Sequence, residues 1–170
     1  DMGHPEAAFR LGQSYYFDAD TAENRAQTIQ WWRVAASKGH TGAAFDLADL
    51  FIDSPSAERL QEAGKLLEPL TRNEDDAGKA HFLLGKIYRK GPEGEPDYAK
   101  AVDHFRKAAD LGMKFAKSEL AFHHVKGLGV EKDLNRALAL LKEANQDSDF
   151  FDEAIEAVKK MIAEEGGQRQ

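Results

Sequence analysis

The chain is 170 residues long, has no cysteine, and carries 23 Lys and Arg against 30 Asp and Glu, for a net charge of −7. That length buries one sizeable core, and the missing thiols exclude disulfide frameworks, cysteine zinc sites and cysteine nucleophiles. The acidic balance argues against nucleic acid or anionic lipid as a bulk partner; no apolar run nears the ~18 residues of a membrane span, so no membrane insertion is expected.

The first predicted helix carries Ala7-x-Phe9-x-Leu11-Gly12. A second follows with Ile29, Trp32, Ala35 and Ala36, whose spacing makes one apolar stripe, and Gly39 closes it as a capping glycine. Next comes Ala43-x-Phe45-x-Leu47-Ala48, then a weaker stripe of Ala63, Leu66, Leu67 and Leu70. Pro69 sits inside that stripe, so its helix should bend or end early. Ala80-x-Phe82-x-Leu84-Gly85 opens the third unit, Gly91 and Gly94 mark a connector, and Asp97 is a candidate N-cap. Val102, Phe105, Ala108 and Ala109 then restore the stripe, ended by Gly112. Ala116-x-Ser118-x-Leu120-Ala121 lacks the aromatic; Gly127, Gly129, the candidate N-cap Asp133 and the stripe of Leu138, Leu141 and Ala144 follow it. Phe151, Ala154, Ile155, Val158 and Ile162 form the stripe of a single closing helix.

The leucines at 11, 47, 84 and 120 recur at intervals of 36, 37 and 36. A helical hairpin of that period cannot bury its apolar face alone; stacking hairpins buries it. The expected fold is therefore all-α: a right-handed α-solenoid of about four helix-turn-helix repeats, near 4–39, 40–76, 77–112 and 113–148. A capping helix over 149–163 completes one repeat domain, 1–163, and 164–170 read as a flexible polar tail. The small residues at 12, 48, 85 and 121 are expected to let paired helices approach, with Trp32 and Phe105 filling the gap between pairs. Asp1-Met2-Gly3 matches Asp110-Leu111-Gly112, which suggests that the chain opens on the end of a preceding second helix, with a repeat or leader upstream.

The stretch His124-Val-Lys-Gly127-Leu-Gly129-Val130-Glu-Lys-Asp133-Leu-Asn-Arg-Ala137 resembles the connector Tyr-x-x-Gly-x-Gly-Val-x-x-Asp-x-x-x-Ala of the Sel-one-like repeat family, a relative of the tetratricopeptide repeats. Ala101-x-x-x-Phe105-x-x-Ala108-Ala109-x-x-Gly112 and Trp32-x-x-Ala35-Ala36-x-x-Gly39 resemble its second-helix ending, and the likeness covers roughly 3–148. Two departures stand out. Repeat one has Asp18-Ala-Asp20 in place of the glycine loop; repeat two has Ser54-Pro55 there and lacks the Ala-Ala ending. The resemblance implies an adaptor or regulator that holds another protein, often in bacterial envelopes, secretion-linked systems or signalling; zero cysteine sets the chain outside the disulfide-clamped branch.

No catalytic motif is present: there is no His-Glu-x-x-His, Gly-x-Ser-x-Gly, Walker loop or G-x-G-x-x-G. The glycines after Lys126 follow a helix rather than a strand, and so read as turn residues. His123 and His124 are neighbours on a helix and point ~100° apart, which does not suit one shared metal; His124, at the repeat's tyrosine position, reads as packing. Asp18/Asp20/Glu23 and Glu74/Asp75/Asp76 are accounted for by helix N-terminal chemistry, without calcium. No metal, cofactor or catalytic residue is assigned, and the chain is not expected to be an enzyme.

In stacked hairpins the first helices line the groove that partners occupy. By register Phe9, Phe45 and Phe82 recur there, and recurrence suits repeat packing. Tyr16, Phe17 and Phe122 do not recur and are the better exposed anchors. The candidate partner-binding groove is Tyr16, Phe17, Asp49, Ile52, Lys86, Arg89, Lys90, Phe122 and Lys126. Its first end would be aromatic, with apolar anchors entering near Tyr16, Phe17 and Ile52. Its second end would be basic, Lys86, Arg89 and Lys126 meeting acidic side chains of a partner peptide or helix. The solvated-face reading of Lys86, Arg89 and Lys90 stays open beside that one.

The expected function is a non-enzymatic protein-interaction adaptor or regulator, such as a bacterial envelope, secretion-linked or immunity-type inhibitor. A structural segment of a larger repeat assembly is the alternative. A glycan-directed role through Trp31 and Tyr16 ranks last, since no paired-carboxylate geometry supports it. Compartment is left open, with the bacterial periplasm or envelope slightly favoured over the cytoplasm, and oligomeric state is left open too.

Overall fold

A computed structural model describes residues 4–18, 21–146 and 148–167, and among these all regular structure is helical. The helices are α1 (Pro5–Asp18), α2 (Ala22–Ser37), α3 (Thr41–Asp53), α4 (Ala57–Leu67), α5 (Ala77–Lys90), α6 (Tyr98–Asp110), α7 (Lys114–Lys126), α8 (Leu134–Ala144) and α9 (Asp152–Gly167). They pair as α1/α2, α3/α4, α5/α6 and α7/α8, and each pair leans on the next through α2 on α3, α4 on α5, α6 on α7 and α8 on α9. This is the stacking of an α-solenoid.

The punctuation read from sequence has a physical counterpart at each end. Asp97 and Asp133 cap α6 and α8 by accepting the backbone N–H of Lys100 and Arg136. The Ala-Ala-x-x-Gly endings of α2 and α6 are two copies of one closure. Gly39 donates its N–H to Ala36 and His40 to Ala35; Gly112 donates to Ala109 and Met113 to Ala108. Both glycines have φ near +85°, the left-handed residue that this closure places just past the helix. In the connector after α7, Gly129 has φ +71° and lies so close to the Tyr98 carbonyl that a Cβ would collide with it. These glycines turn the chain, and no strand precedes them.

The small first-helix residues lie where the helices of a pair meet. A Cβ on Gly85 would stand 2.5 Å from Phe105 Cε1, and one on Gly12 would run into the Trp32 ring. Trp32 and Phe105 therefore fill the space inside their own pairs, over the bare backbone of α1 and α5. They also reach the next pair, as expected: the Phe105 ring lies 5.6 Å from that of His123 in α7, and Trp32 shares a cleft with Asp46 and Leu50 of α3.

One stretch follows expectation and one departs from it. α4 stops at Leu67, and Glu68–Arg72 continue as a 3-10 helix with Pro69 near its start, as the proline predicts. The closing helix α9 runs on to Gly167, past the expected start of the tail at 164. Lys132 on the preceding connector reaches Glu165 at 2.6 Å, which holds that last turn. The match drawn from Asp1 to Gly3, the carboxylate of Asp20 and residues 168–170 lie outside the described residues.

The apolar core divides in two. One part joins α1 to α5 around Trp32, Leu47, Phe51 and Leu84; the other joins α6 to α9 around Phe105, Leu120, Leu141 and Ile155. Phe82 packs against both. The division falls between α5 and α6, inside the third pair, while the shortened α4 lies within the first part.

Candidate functional site

The face that register assigns to the groove is carried by α1, α3, α5 and α7, and its two ends differ. At the first end an open cleft of about 210 Å³ lies between α1, α2 and α3. Three rings line one side: Phe17 meets Tyr16 edge-on at 5.1 Å between centroids, and Tyr16 meets Trp32 at 5.4 Å. Tyr16 and Phe17 are 50% and 77% exposed, while Trp32 is buried. Asp46, Asp49 and Asp53 line the same cleft from α3, with Gln13 and Leu50. Burial raises the carboxyl pKa of Asp46, and the neighbouring Asp49 adds to this; Lys79 and His40 oppose it.

At the second end the basic side chains are already matched. Lys86 Nζ lies 3.5 Å from Asp49 Oδ1 and also approaches the Phe82 ring. Arg89 Nη1 lies 2.9 Å from Glu119 Oε2, both side chains half-buried. These pairs cross from helix to helix along the groove face, α5 to α3 and α5 to α7. Lys90 and Lys126 are exposed. Phe122 is 41% exposed and stands edge-on to the ring of His123 at 5.8 Å.

Ile52 does not belong to this face. It is 1% exposed and packs in the first core cluster, so it has no surface to offer a partner. Its helix α3 is covered from both sides, by α2 and by α5, and buries seven residues where α1 buries two. Phe9, Phe45 and Phe82 pack against or within that cluster, as recurrence suggested.

The structure adds residues that the sequence reading did not single out. Asp46 lies one helical turn before Asp49 on the same face, a signal that was available. Glu119 has no such local signal; it is defined by the arginine of the preceding pair. His40 caps α3: its Nδ1 accepts the N–H of Ala43, so the ring proton sits on Nε2 and is donated to Glu6 at 2.9 Å. Thr21 caps α2 by accepting from the N–H of Asn24, the role expected of the Asp18/Asp20/Glu23 group. At α5, Asp76 is the N-cap but makes no side-chain capping bond.

The histidine reading also changes. His123, rather than His124, is the fully buried ring: it packs against Phe105 and Tyr98, and its Nδ1 donates to the carbonyl of Leu128 at 2.7 Å. Burial lowers its pKa. His124 is half-buried, with Nδ1 3.2 Å from the Glu131 carbonyl. His81 and His104 join α5 to α6 through an Nδ1···Nδ1 hydrogen bond of 3.0 Å, one ring donating and the other accepting. Burial and the proximity of His81 push His104 down to about 4. Among the described residues no group of three or more His, Asp or Glu is placed to hold a metal ion, and no helix is long and apolar enough to cross a membrane.

Comparison with known proteins agrees with this architecture. The Sel1 repeat model matches residues 5–40, 78–113 and 115–149, passing over the α3/α4 pair with its early stop. The uncharacterized protein NMB1327 of Neisseria meningitidis is 28% identical over 166 residues, which is 96% of this chain and 32% of that protein. An exopolysaccharide production negative regulator of Rhizobium meliloti is 27% identical, over 84% of this chain and 56% of that protein. The chain thus spans about a third of the first of these relatives and just over half of the second. The crystal structure of c5321, a protective antigen of uropathogenic Escherichia coli, superposes with a TM-score of 0.75 at 27% identity, over 94% of this chain and 34% of that one. The chain belongs to the Sel1 repeat family.

Proposed function

We propose that this chain is a protein-interaction module of the adaptor or regulator kind, non-enzymatic, that holds a segment of a partner protein along the groove of its first helices. The single observation that carries the reading is the exposed aromatic edge of the cleft, Tyr16 and Phe17, beside a wall of α3 carboxylates. Solvent-exposed rings next to polar groups are the composition of interface anchors. The regulator-type name of the Rhizobium relative, of which this chain spans 56%, supports the same class. The groove residues are Tyr16, Phe17, Asp49, Lys86, Arg89, Lys90, Phe122 and Lys126; Ile52 is left out because it is buried. Lys86 and Arg89 contribute through their acidic partners, as a charged rail along the groove, rather than as vacant cations.

Photo-crosslinking tests this. A crosslinking phenylalanine analogue at Phe17, Lys90 or Lys126 should capture one common protein in cells; the same analogue at Arg106 or Lys142, exposed on the second helices, should not. Capture of that protein from Arg106 and Lys142 alone would sink the groove reading. A structural segment of a larger repeat assembly is the second reading, favoured by Phe115 and Phe150, 52% and 70% exposed and packed edge to face. In that case the groove positions would capture nothing but copies of this chain.

A further inference from the structure

The groove reading above leaves the chemistry of the partner unassigned, and the cleft at its first end supplies it. Its walls are of two kinds. Phe17, Tyr16 and Trp32 form a continuous run of rings, with centroids 5.1 and 5.4 Å apart. Asp46, Asp49 and Asp53 come one turn apart from α3, and no basic side chain lines the cleft among the described residues. From these walls we propose that the cleft is a binding site for a cationic side chain, an arginine or lysine of the partner segment, lodged between the aromatic run and the α3 carboxylates. This rests on the groove reading and places a cation where the sequence suggested apolar anchors.

The physical case is complementarity on both walls. The faces of aromatic rings attract cations through their quadrupole, most of all when water is excluded from one side. A carboxylate opposite adds a charge-assisted hydrogen bond, and arginine suits the pair best because its planar guanidinium can stack and fork at once. An anionic or apolar segment would instead desolvate three carboxylates without return.

The existing cations do not fill this role. Lys86 reaches one oxygen of Asp49 from the α5 side at 3.5 Å, long for a hydrogen bond, and Lys79 is drawn over the Phe45 ring at 4.5 Å. Neither lines the cleft. Burial of Asp46 disfavours its charge, and although Lys79 and His40 oppose this, Asp49 adds to it and the net direction stays upward. A guanidinium arriving from outside offsets both effects by favouring the charged carboxylate.

The test uses the full chain, isotope-labelled, titrated in amide NMR with three probes: acetyl-Gly-Arg-Gly-amide and its counterparts with norleucine or glutamate in the middle. The arginine peptide should shift the amides of 13–17 and 46–53 in a saturable way, about tenfold more tightly than the norleucine peptide. Raising salt should weaken it. The glutamate peptide should not bind. Asp46→Asn with Asp49→Asn should cut the arginine affinity about tenfold while leaving helical circular dichroism unchanged. If that double variant loses its helix signal, Phe17→Ala, whose ring is mostly solvent-exposed, carries the same test and should weaken the arginine peptide severalfold. Equal binding of arginine and norleucine peptides, indifference to the loss of the carboxylates, or no shift at 13–17 and 46–53 overturns the proposal. The groove reading is judged separately: crosslinking from Phe17 and Lys90 would persist if only the cation site were wrong, and would vanish if the groove were not used.

Discussion

The two ends of the first-helix face carry the same kinds of residue in opposite states. At the α1/α3 end the aromatic rings are exposed and three aspartates share an open cleft. At the α5/α7 end the two best-placed cations are already partnered, Lys86 by Asp49 and Arg89 by Glu119. Counting residues gives an aromatic end and a basic end; counting pairs draws Asp49 into the Lys86 pair, leaves Asp46 and Asp53 as the cleft's other carboxylates, and neutralises the basic end. The field that a partner meets is set by what is left after neighbouring repeats have matched each other's charges, since pairs within a few ångström cancel before anything at Debye distance feels them.

The comparison rests on where α5 stands, because α5 supplies both Lys86 and Arg89. Gly85, beside Lys86, fixes that position by letting α5 lie directly on the Phe105 ring. Gly85→Ala puts a methyl group about 2.5 Å from buried ring atoms, and should cost about 1–3 kcal/mol in urea unfolding, the largest effect expected here. The contrasting substitution is Gly64→Ala in α4, where an added Cβ meets nothing within 4 Å. That change should be neutral or stabilising by about 0.5–1 kcal/mol, because alanine orders a helix interior more readily than glycine. Equal effects at the two glycines would mean that the α5/α6 contact is looser than described, and the neutralised end with it.

A smaller effect sharpens the claim of neutrality. Arg89 and Glu119 are 31% and 20% exposed at their side chains and 2.9 Å apart. A double-mutant cycle with Arg89→Ala and Glu119→Ala should give a coupling of about 1 kcal/mol, above the value typical of fully exposed pairs. Coupling near zero would return Arg89 to the pool of cations available to a partner, and restore the basic end that the sequence suggested.

Much of the fold is legible in the sequence because its causes are local. The Ala-Ala-x-x-Gly endings specify a closure that needs only six consecutive residues. Gly12 and Gly85 announce a close helix approach because nothing larger fits over a facing ring. The site is less legible because its causes are not local. Lys86 and Asp49 are 37 residues apart, and Arg89 and Glu119 are 30 apart, so neither pair shows in a helix-by-helix reading. One repeat length is nevertheless a readable distance, and a carboxylate one repeat before a lysine was the signal to use. Ile52 failed for a related reason. Register treats Ile52 and Tyr16 alike, yet α3 is covered on two sides and α1 on one, so equivalent positions differ in exposure.

The acidic end has its own test, and the effect expected is the smallest. Burial raises the Asp46 pKa in the folded chain above its ordinary value near 3.8. A carboxyl raised on folding favours the folded state while protonated, so its contribution is full below the unfolded pKa and is lost as pH rises through the folded one. At neutral pH the charged form is a burden on stability. Asp46→Asn removes that burden and should raise the unfolding free energy measured in urea slightly at pH 7, by about 0.5 kcal/mol or less. The gain should shrink as pH falls, and disappear below about 3.8, where both side chains are neutral. A variant less stable than the parent at pH 7 would mean that Lys79 and His40 already satisfy Asp46, leaving the cleft no vacancy for a cation and erasing the contrast between the two ends.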